Sequence, residues 1–340
     1  MYNLTLLIPG LLGTASDIPS EEQPRFPAIE TLLARAVVRR FPVVSFYRSL
    51  GELFDLVKPA AGDLPIAPIS RLIDGLERPE GIWMRADPVH LTVGRTGLNL
   101  NDATALALTQ HDAIILAAAL EEFFKEHDWK LEVPVAGRWY VRLPKLPAIT
   151  TTELDSVIGR DVRPWLPAGP DRNDWQSLSN EVQMILHASE MNRERERRGE
   201  LPVNSLWFWG IGTLPEILPR NWTTVYSDDP VAQGLAMLSG TRFVELPENL
   251  QADIAGFATG NVLVATNTHL PESIKQDLNL WETSMWQLEQ RWFEPVLTAL
   301  RAGSLEEIKF ITDGHLFTVH RNSLLKFWRL RRSVTDFLSG

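Results

Sequence analysis

Leu4-Thr5-Leu6-Leu7-Ile8-Pro9-Gly10 is an apolar run that stops at a turn, with Gly13 three residues further on. A parallel strand buried on both faces reads this way, continuous apolar residues and then a Gly-rich turn. Outward from it, Pro27-Ala28-Ile29-Glu30-Thr31-Leu32-Leu33-Ala34-Arg35-Ala36 puts Pro in a first helical turn and repeats apolar residues at helical spacing. Residues 41–46 predict a second strand. Strand, helix and strand in that order favour an α/β fold with a parallel sheet. The last third predicts the same alternation. Its strands fall at 205–209, 241–245, 260–265 and 308–312, and its helices at 231–239 and 281–301.

The middle has a different rhythm. Residues 81–86 and 90–93 read as strands, Leu98-Asn99-Leu100 alternates, and 138–143 alternates as a strand. Between them, 109–129 reads as an amphipathic helix with Ile114, Leu116, Leu120, Phe123 and Phe124 on or near one face. This predicts a small α+β unit at 75–150, inserted into an α/β domain made of 1–74 and 151–340. Residues 150–169 read as loop. A helix over 171–196 ends in Arg193, Arg195, Arg197 and Arg198 before Gly199. Such an end complements the helix dipole and stops the helix, or it holds an anion.

Composition narrows the function classes. The 340 residues are 44% hydrophobic and 22% charged, which excludes a disordered chain. The net charge of −10 argues against general nucleic-acid binding. No apolar run is long enough to span a bilayer, and the start MYNLTLL lacks the positive charge of a secretory signal. With no cysteine, disulfides, thiol catalysis and Cys-ligated zinc are excluded. The expected setting is the cytoplasm, with no membrane and no nucleic-acid partner. Twelve Trp are many for this length, and their spacing predicts core packing, with room for one or two to stack on a ligand.

Several chemical motifs are absent. There is no G-x-S-x-G, no G-x-x-x-x-G-K-[ST] and no H-E-x-x-H. Gly210-Ile211-Gly212 begins a dinucleotide fingerprint but lacks its third Gly, so it reads as a strand-end turn. Two polar constellations remain. One is Arg85-Ala86-Asp87-Pro88-Val89-His90. The other is Asp313-Gly314-His315 with His320, at the end of a predicted parallel strand, where ligands of open α/β sheets collect. Carboxylate plus imidazole suits a divalent metal; alternatively His320 is an ordinary surface His.

Met191-Asn192-Arg193-Glu194-Arg195 through Gly199, Pro202-Val203-Asn204 and Trp207 to Gly212 resemble the N-x-x-R…G-x-x-P-A-N…R-G-x-G segment of archaeal-type cofactor-independent phosphoglycerate mutases, of the alkaline phosphatase superfamily. Looser likenesses lie at Pro27 to Ala34, Val231 to Gly240 and Phe310 to His320. Trp83 to Leu91, Asn180 to His187 and Asn204 to Gly212 further resemble the bacterial RpfE-type regulatory proteins. The resemblance implies an alkaline-phosphatase-like α/β fold, a parallel sheet flanked by helices, carrying the inserted α+β domain. It also implies two metal ions, a Ser nucleophile and cationic clamps on phosphate.

Set against that pattern, the first metal carboxylate is replaced by Pro9-Gly10, and no Asp follows residues 262–265 closely. A late helical Asp falls near Glu289 or Gln290, and the Arg of R-G-x-G is Trp209. Asp313, His315 and His320 remain, with Gly314 splitting the pair. Ser49 lies near the nucleophile's place without its G-S-D setting. Loss of acidic ligands removes the charge that holds divalent ions, so a mutase built this way is expected to be inactive. One reading is then a pseudo-enzyme without cofactor, whose cleft, lined by Arg85, Asp87, His90, Arg195, Asn204 and Trp209, binds a small anionic or phosphorylated ligand or a protein partner. Arg85 and Asp87 are expected to form an ion pair there. The alternative is an active phosphomutase or phosphohydrolase with manganese or zinc at Asp313, His315 and His320.

Overall fold

The computed structural model describes residues 2–13, 24–41, 45–56, 63–75, 77–94, 97–218, 221–250, 260–267, 278–326 and 328–337. The chain forms two units, Met1–Asp55 with Ile217–Gly340, and Leu56–Glu216. The first is mixed α/β. The opening apolar run becomes β1 (Tyr2–Leu7), at the centre of a seven-stranded sheet. It pairs in parallel with β10 (Gly260–Ala265) and β11 (Leu305–Thr312). Beyond β10 come β8 (Trp222–Ser227) and β9 (Arg242–Glu245), also parallel. Beyond β11 come β12 (His315–His320) and then β2 (Val37–Arg40), both antiparallel. Leu4, Leu6 and Phe310 pack with α1 (Pro27–Arg35) and with a long C-terminal helix. That helix is α9 (Leu278–Leu288), a π turn at Glu289–Phe293 and α10 (Glu294–Ala302). Two further helices of this unit are α2 (Phe46–Leu53) and α8 (Pro230–Leu238).

Two expectations for this unit are corrected. The second strand is 37–40, on the far edge of the sheet, and residues 42–44 of the expected 41–46 lie outside the described residues. Phe46 instead opens α2, because the Ser45 side chain caps that helix by accepting the Arg48 N–H. Asp313-Gly314 is not an open strand-end loop. It is a two-residue hairpin turn joining β11 to β12, with Thr312 opposite His315. Both turn residues have positive φ, +47° and +77°. A type I′ turn requires this, and Asp-Gly satisfies it.

The second unit is built on a five-stranded antiparallel sheet around β3 (Ile82–Val93). On β3 lie β6 (Arg138–Leu143) over 82–85, β4 (Leu98–Asn101) over 90–93 and β7 (Ser205–Gly212) over 83–89. The fifth strand, β5 (Lys130–Val135), pairs with β6. The expected strands 81–86 and 90–93 are one strand that runs through Pro88. Pro has no N–H to give, and residue 88 falls in the gap where the β6 pairing has ended and the β4 pairing has not begun. The helices are α3 (Ile66–Asp74), α4 (Ala103–Leu106), α5 (Gln110–Glu126), α6 (Arg172–Ala188) and α7 (Glu190–Arg197). Leu116, Leu120, Phe123 and Phe124 of α5 pack with Trp139, Trp175 and Phe208, whereas Ile114 is exposed.

The expected helix over 171–196 breaks at Ser189, which is extended. Asn192 ties the break down, donating to the carbonyls of Leu186 and Val203. The domain boundaries move as well. Residues 56–74 and 151–216, expected in the α/β domain, belong to the antiparallel unit. Strand pairing decides this, since β7 is hydrogen-bonded to β3 and α6 shares the apolar cluster beneath them.

Gly210-Ile211-Gly212 is neither a nucleotide loop nor a turn but the last three residues of β7, still within the strand. A Cβ at Gly210 would lie 2.9 Å from the Ile66 Cβ, and one at Gly212 would lie 2.6 Å from the Pro65 Cβ. The glycines let the first turn of α3 lie directly on the strand. Gly210 has φ +65°, so Gly210→Ala combines strain with overpacking and is expected to cost about 2–4 kcal/mol in thermal unfolding. Gly199 has φ +75° but nothing within 4 Å of its Cβ position, so Gly199→Ala is expected to cost only about 1–2 kcal/mol.

Candidate functional site

In the first unit, β1, β8, β10 and β11 end on the same side, the usual place for a ligand in an open α/β sheet. After β1 the chain turns through Pro9 and Gly10, whose φ is +87°. Asp313 holds this loop. Its Oδ1 accepts the Gly10 N–H at 2.9 Å, and its Oδ2 accepts the Leu12 N–H at 3.0 Å and the Thr312 hydroxyl at 2.8 Å. The Leu11 N–H goes to Thr312 Oγ1, and the Trp281 indole donates to the Gly10 carbonyl. The loop is therefore fixed from β11 and from α9.

At the ends of β10 and β8, Thr266 donates to Asp228 at 3.2 Å, and Asp229 caps α8. Asp229 Oδ1 accepts the N–H groups of Val231 and Ala232, and Oδ2 accepts the Tyr47 hydroxyl at 3.2 Å. Burial pushes the Asp229 carboxyl up to about 6, outweighing these hydrogen bonds, and neighbouring Asp228 adds to the rise. This gives the strand ends a carboxyl that changes charge near neutral pH. The sequence reading missed Tyr47, Asp228, Asp229 and Thr266. The available signal was Asp-Pro at 229–230, a helix cap followed by Pro at the first helical position. Ser49 is buried in α2, with its hydroxyl on the Ser45 carbonyl 2.8 Å away, an arrangement unlike an exposed nucleophile.

The residues expected to ligate a metal do not fit one. The oxygens of Asp313 accept backbone N–H groups. His315 Nδ1 lies 2.9 Å from the Asp313 carbonyl. His320 is at the other end of β12, about 16 Å along the strand, and lies 3.3 Å from Glu307. Among the described residues no three His, Asp or Glu side chains group to hold an ion. Glu289 is also engaged elsewhere. It is buried in the π turn and accepts the N–H groups of Ala28 and Ile29 at the start of α1.

The six residues expected to line one cleft belong to three separate places in the second unit, which corrects that reading. Arg85, Asp87 and Trp209 do meet, on neighbouring strands under α3. The expected ion pair is present, with Arg85 Nε and Nη2 at 2.9 and 2.8 Å from Asp87 Oδ1. Asp87 also accepts the Trp139 N–H and, at 2.7 Å, the Trp209 indole N–H. The Arg85 guanidinium lies over the rings of Tyr140 and Trp209. All of these residues are buried. Burial drives the Asp87 carboxyl upward, against the pull of Arg85 and Trp209.

Arg195 was read as an anion clamp, but it is fully buried and holds helices together. Its donors go to Asp112 of α5, the Leu106 carbonyl of α4 and the Leu201 carbonyl. Arg198 joins it on Asp112. His90 lies against the Pro202 carbonyl, and Asn204 bridges the N–H and carbonyl of Leu91. These two extend the β3–β7 pairing through side chains.

Two measurements follow. Arg85→Ala leaves Asp87 buried without its cation, so a loss of about 3–5 kcal/mol is expected in denaturant unfolding. Asp229 binds its proton more tightly in the folded chain than at its ordinary 3.8. Its contribution to stability is therefore full below about pH 4 and is lost as pH rises through about 6. Asp229→Asn keeps a capping oxygen and does not titrate. The variant is expected to be more stable than the native chain at pH 7–8, by at most about 3 kcal/mol. The gap should close as pH falls from 6 to 4.

No protein-family model matches the chain. The 2,3-bisphosphoglycerate-independent phosphoglycerate mutase of Methanothrix thermoacetophila is 27% identical over 154 residues, 44% of this chain and 38% of that protein. The mutase of the same description from Methanosarcina barkeri is 24% identical over 95 residues, 26% of this chain and 24% of that protein. The chain thus spans well under half the length of these curated relatives. Among solved structures, the cofactor-independent phosphoglycerate mutase from Thermoplasma acidophilum aligns with 99% of this chain and 95% of its own at 16% identity and a TM-score of 0.44. The PH0037 protein from Pyrococcus horikoshii aligns with 94% of this chain and 87% of its own at 12% identity and a TM-score of 0.54, a likeness of fold. Fold and sequence together make the chain a mixed α/β protein with weak homology to the cofactor-independent phosphoglycerate mutases.

Proposed function

We propose that this chain is a mutase-like regulatory protein of the RpfE type, a pseudo-enzyme that acts by binding and not by phosphoryl transfer. The observation that carries the reading is the bonding of Asp313. Phosphomutase chemistry needs carboxylates free to hold metal ions at the strand ends. Here Asp313 is anchored on the N–H groups of Gly10 and Leu12, beside a Pro where a first ligand would stand. Glu289, near the place of another acidic ligand, caps α1. Both carboxylates maintain loops and helices, and withdrawing either to bind an ion would strand buried donors.

The occupant is a protein partner or a small anionic ligand, in a cytoplasmic setting. Arg85 and Arg195 already satisfy carboxylates within the fold, which favours the protein partner. No helix among the described residues is long and apolar enough to cross a membrane.

The test is turnover of phosphoglycerate by the purified chain with added manganese or zinc, together with elemental analysis. No turnover above the uncatalysed rate is expected. Metal-dependent turnover, or near-stoichiometric bound metal, would establish the alternative of an active phosphomutase or phosphohydrolase with a rebuilt site. Calorimetric titration with 3-phosphoglycerate separates the two occupants. Heat at millimolar ligand favours the small anion, and its absence favours the protein partner.

A further inference from the structure

The seven-stranded sheet of the first unit ends at β2, and all four of its residues, Val37, Val38, Arg39 and Arg40, are exposed. One side of the strand is paired with β12, and the Phe41 N–H continues that pairing to the Gly314 carbonyl at 2.9 Å. Inward and outward groups alternate along an antiparallel strand. Val37 and Arg39 share the inward phase of Phe41, so Val38 and Arg40 turn their N–H and C=O to the open side.

A second feature adjoins this edge. Arg35, in the last turn of α1, donates to the Arg329 carbonyl, and Arg329 donates to the Ala36 carbonyl at 2.9 Å, one residue before β2. Residues 321–337 carry five cations and one carboxylate, in a chain whose net charge is −10. That carboxylate, Asp336, accepts the Ser333 N–H. Arg39, Arg40, Lys326, Arg331 and Arg332 have no carboxylate partner among the described residues. The buried arginines of the fold are paired, with Arg71 on Glu132, Arg85 on Asp87 and Arg195 on Asp112. Burial, and then the like charges of Arg329 and Arg331, hold the Arg35 pKa below its ordinary value. Among these cations stand large exposed apolar side chains: Leu325 at 71%, Trp328 at 66% and Leu330 at 82%.

We propose that β2 with the adjoining residues 326 and 328–332 forms a docking surface for an acidic, extended segment of a partner protein, added to the sheet as a further strand. The open edge supplies backbone donors and acceptors. Side chains alternate between the two faces of the strand, so Arg39 and Arg40 offer a cation on each face to carboxylates of the added strand, and Val37, Val38, Trp328 and Leu330 offer apolar contact. Charge on a sheet edge also guards against aggregation, but a guard has no use for exposed Trp and Leu beside it. A second copy of this chain paired on the same edge would bring its Arg39 and Arg40 close to these two, like charge near like charge, which is unfavourable. The proposal is independent of whether the chain catalyses anything.

The test uses the full chain and a capped, fluorescently labelled octapeptide of alternating Glu and Val, with a Lys–Val octapeptide as control. Micromolar binding of the acidic peptide, weakening with salt, is expected, and none of the control. Arg39→Glu with Arg40→Glu should weaken binding by about tenfold or more. Arg40→Pro removes an outward N–H without breaking the β2–β12 ladder; it should abolish binding, whereas Arg40→Gln weakens it only in part. Circular dichroism melts unchanged from the native chain establish that each variant is folded. No acidic-peptide binding at millimolar concentration would overturn the proposal, as would binding that Arg39→Glu with Arg40→Glu leaves intact. Binding to phosphatidylserine vesicles or duplex DNA in place of the peptide would also overturn it, assigning the surface to a membrane or a nucleic acid.

Discussion

Asp87 is a carboxylate buried with no access to solvent, and such a group is tolerated only when its lone pairs are answered. Four donors answer it, from three strands: two nitrogens of Arg85 on its own strand, the backbone of Trp139 and the indole of Trp209. The antiparallel unit is organised by this requirement. Strand β3 is shared by β6 and β7, and the Asp87 side chain reaches β6 just past the point where the regular pairing stops at Arg85. Arg85 in turn lies over Tyr140 and Trp209, and the Tyr140 hydroxyl binds Asp74 at the end of α3. Charge, aromatic faces and helix are one connected set. Trp209 has a definite place in it, because an indole donates one N–H to the carboxylate while filling the apolar volume under α3.

The same economy recurs at the strand ends of the first unit. Asp313, Glu289 and Asp229 each accept main-chain N–H groups of a loop or a helix start. These are sites where the backbone leaves donors unsatisfied. A carboxylate in this role stabilises the fold and is removed from chemistry by the same bonds. Burial raises the energy of the charged form at both Glu289 and Asp229, and it pushes the Asp229 carboxyl up to about 6. The distribution of charge over the molecule follows a parallel division. Buried arginines are matched to carboxylates, whereas five cations at and beside one sheet edge have no carboxylate partner among the described residues.

Much of the local structure was legible in the residues. The run from Leu4 to Ile8 announced a buried central strand, Pro27 and the apolar period announced α1, and the paired charges at Arg85 and Asp87 announced their bond. Asp313-Gly314 between alternating segments carried a hairpin signal as well. Reading those residues as metal ligands concealed it, because the same Asp suits a turn and a metal equally well on paper. The domain boundary was not legible. β7 and the strands 242–245 and 260–265 have the same apolar character, and only pairing partners separate the antiparallel sheet from the parallel one.

The sequence by itself determined the α/β class, the absence of cysteine chemistry, the buried strand at the start and the helices with clear caps. These depend on contacts within a few residues, and composition and period record them directly. The tertiary structure decided which residues share a site. Arg195 and Trp209 are close in sequence, yet one is committed to Asp112 on α5 and the other to Asp87 on β3. His315 and His320 lie on one strand, and its extended rise keeps them apart. A side chain's role is fixed by partners that folding brings from far along the chain, and no local pattern encodes the distance between them.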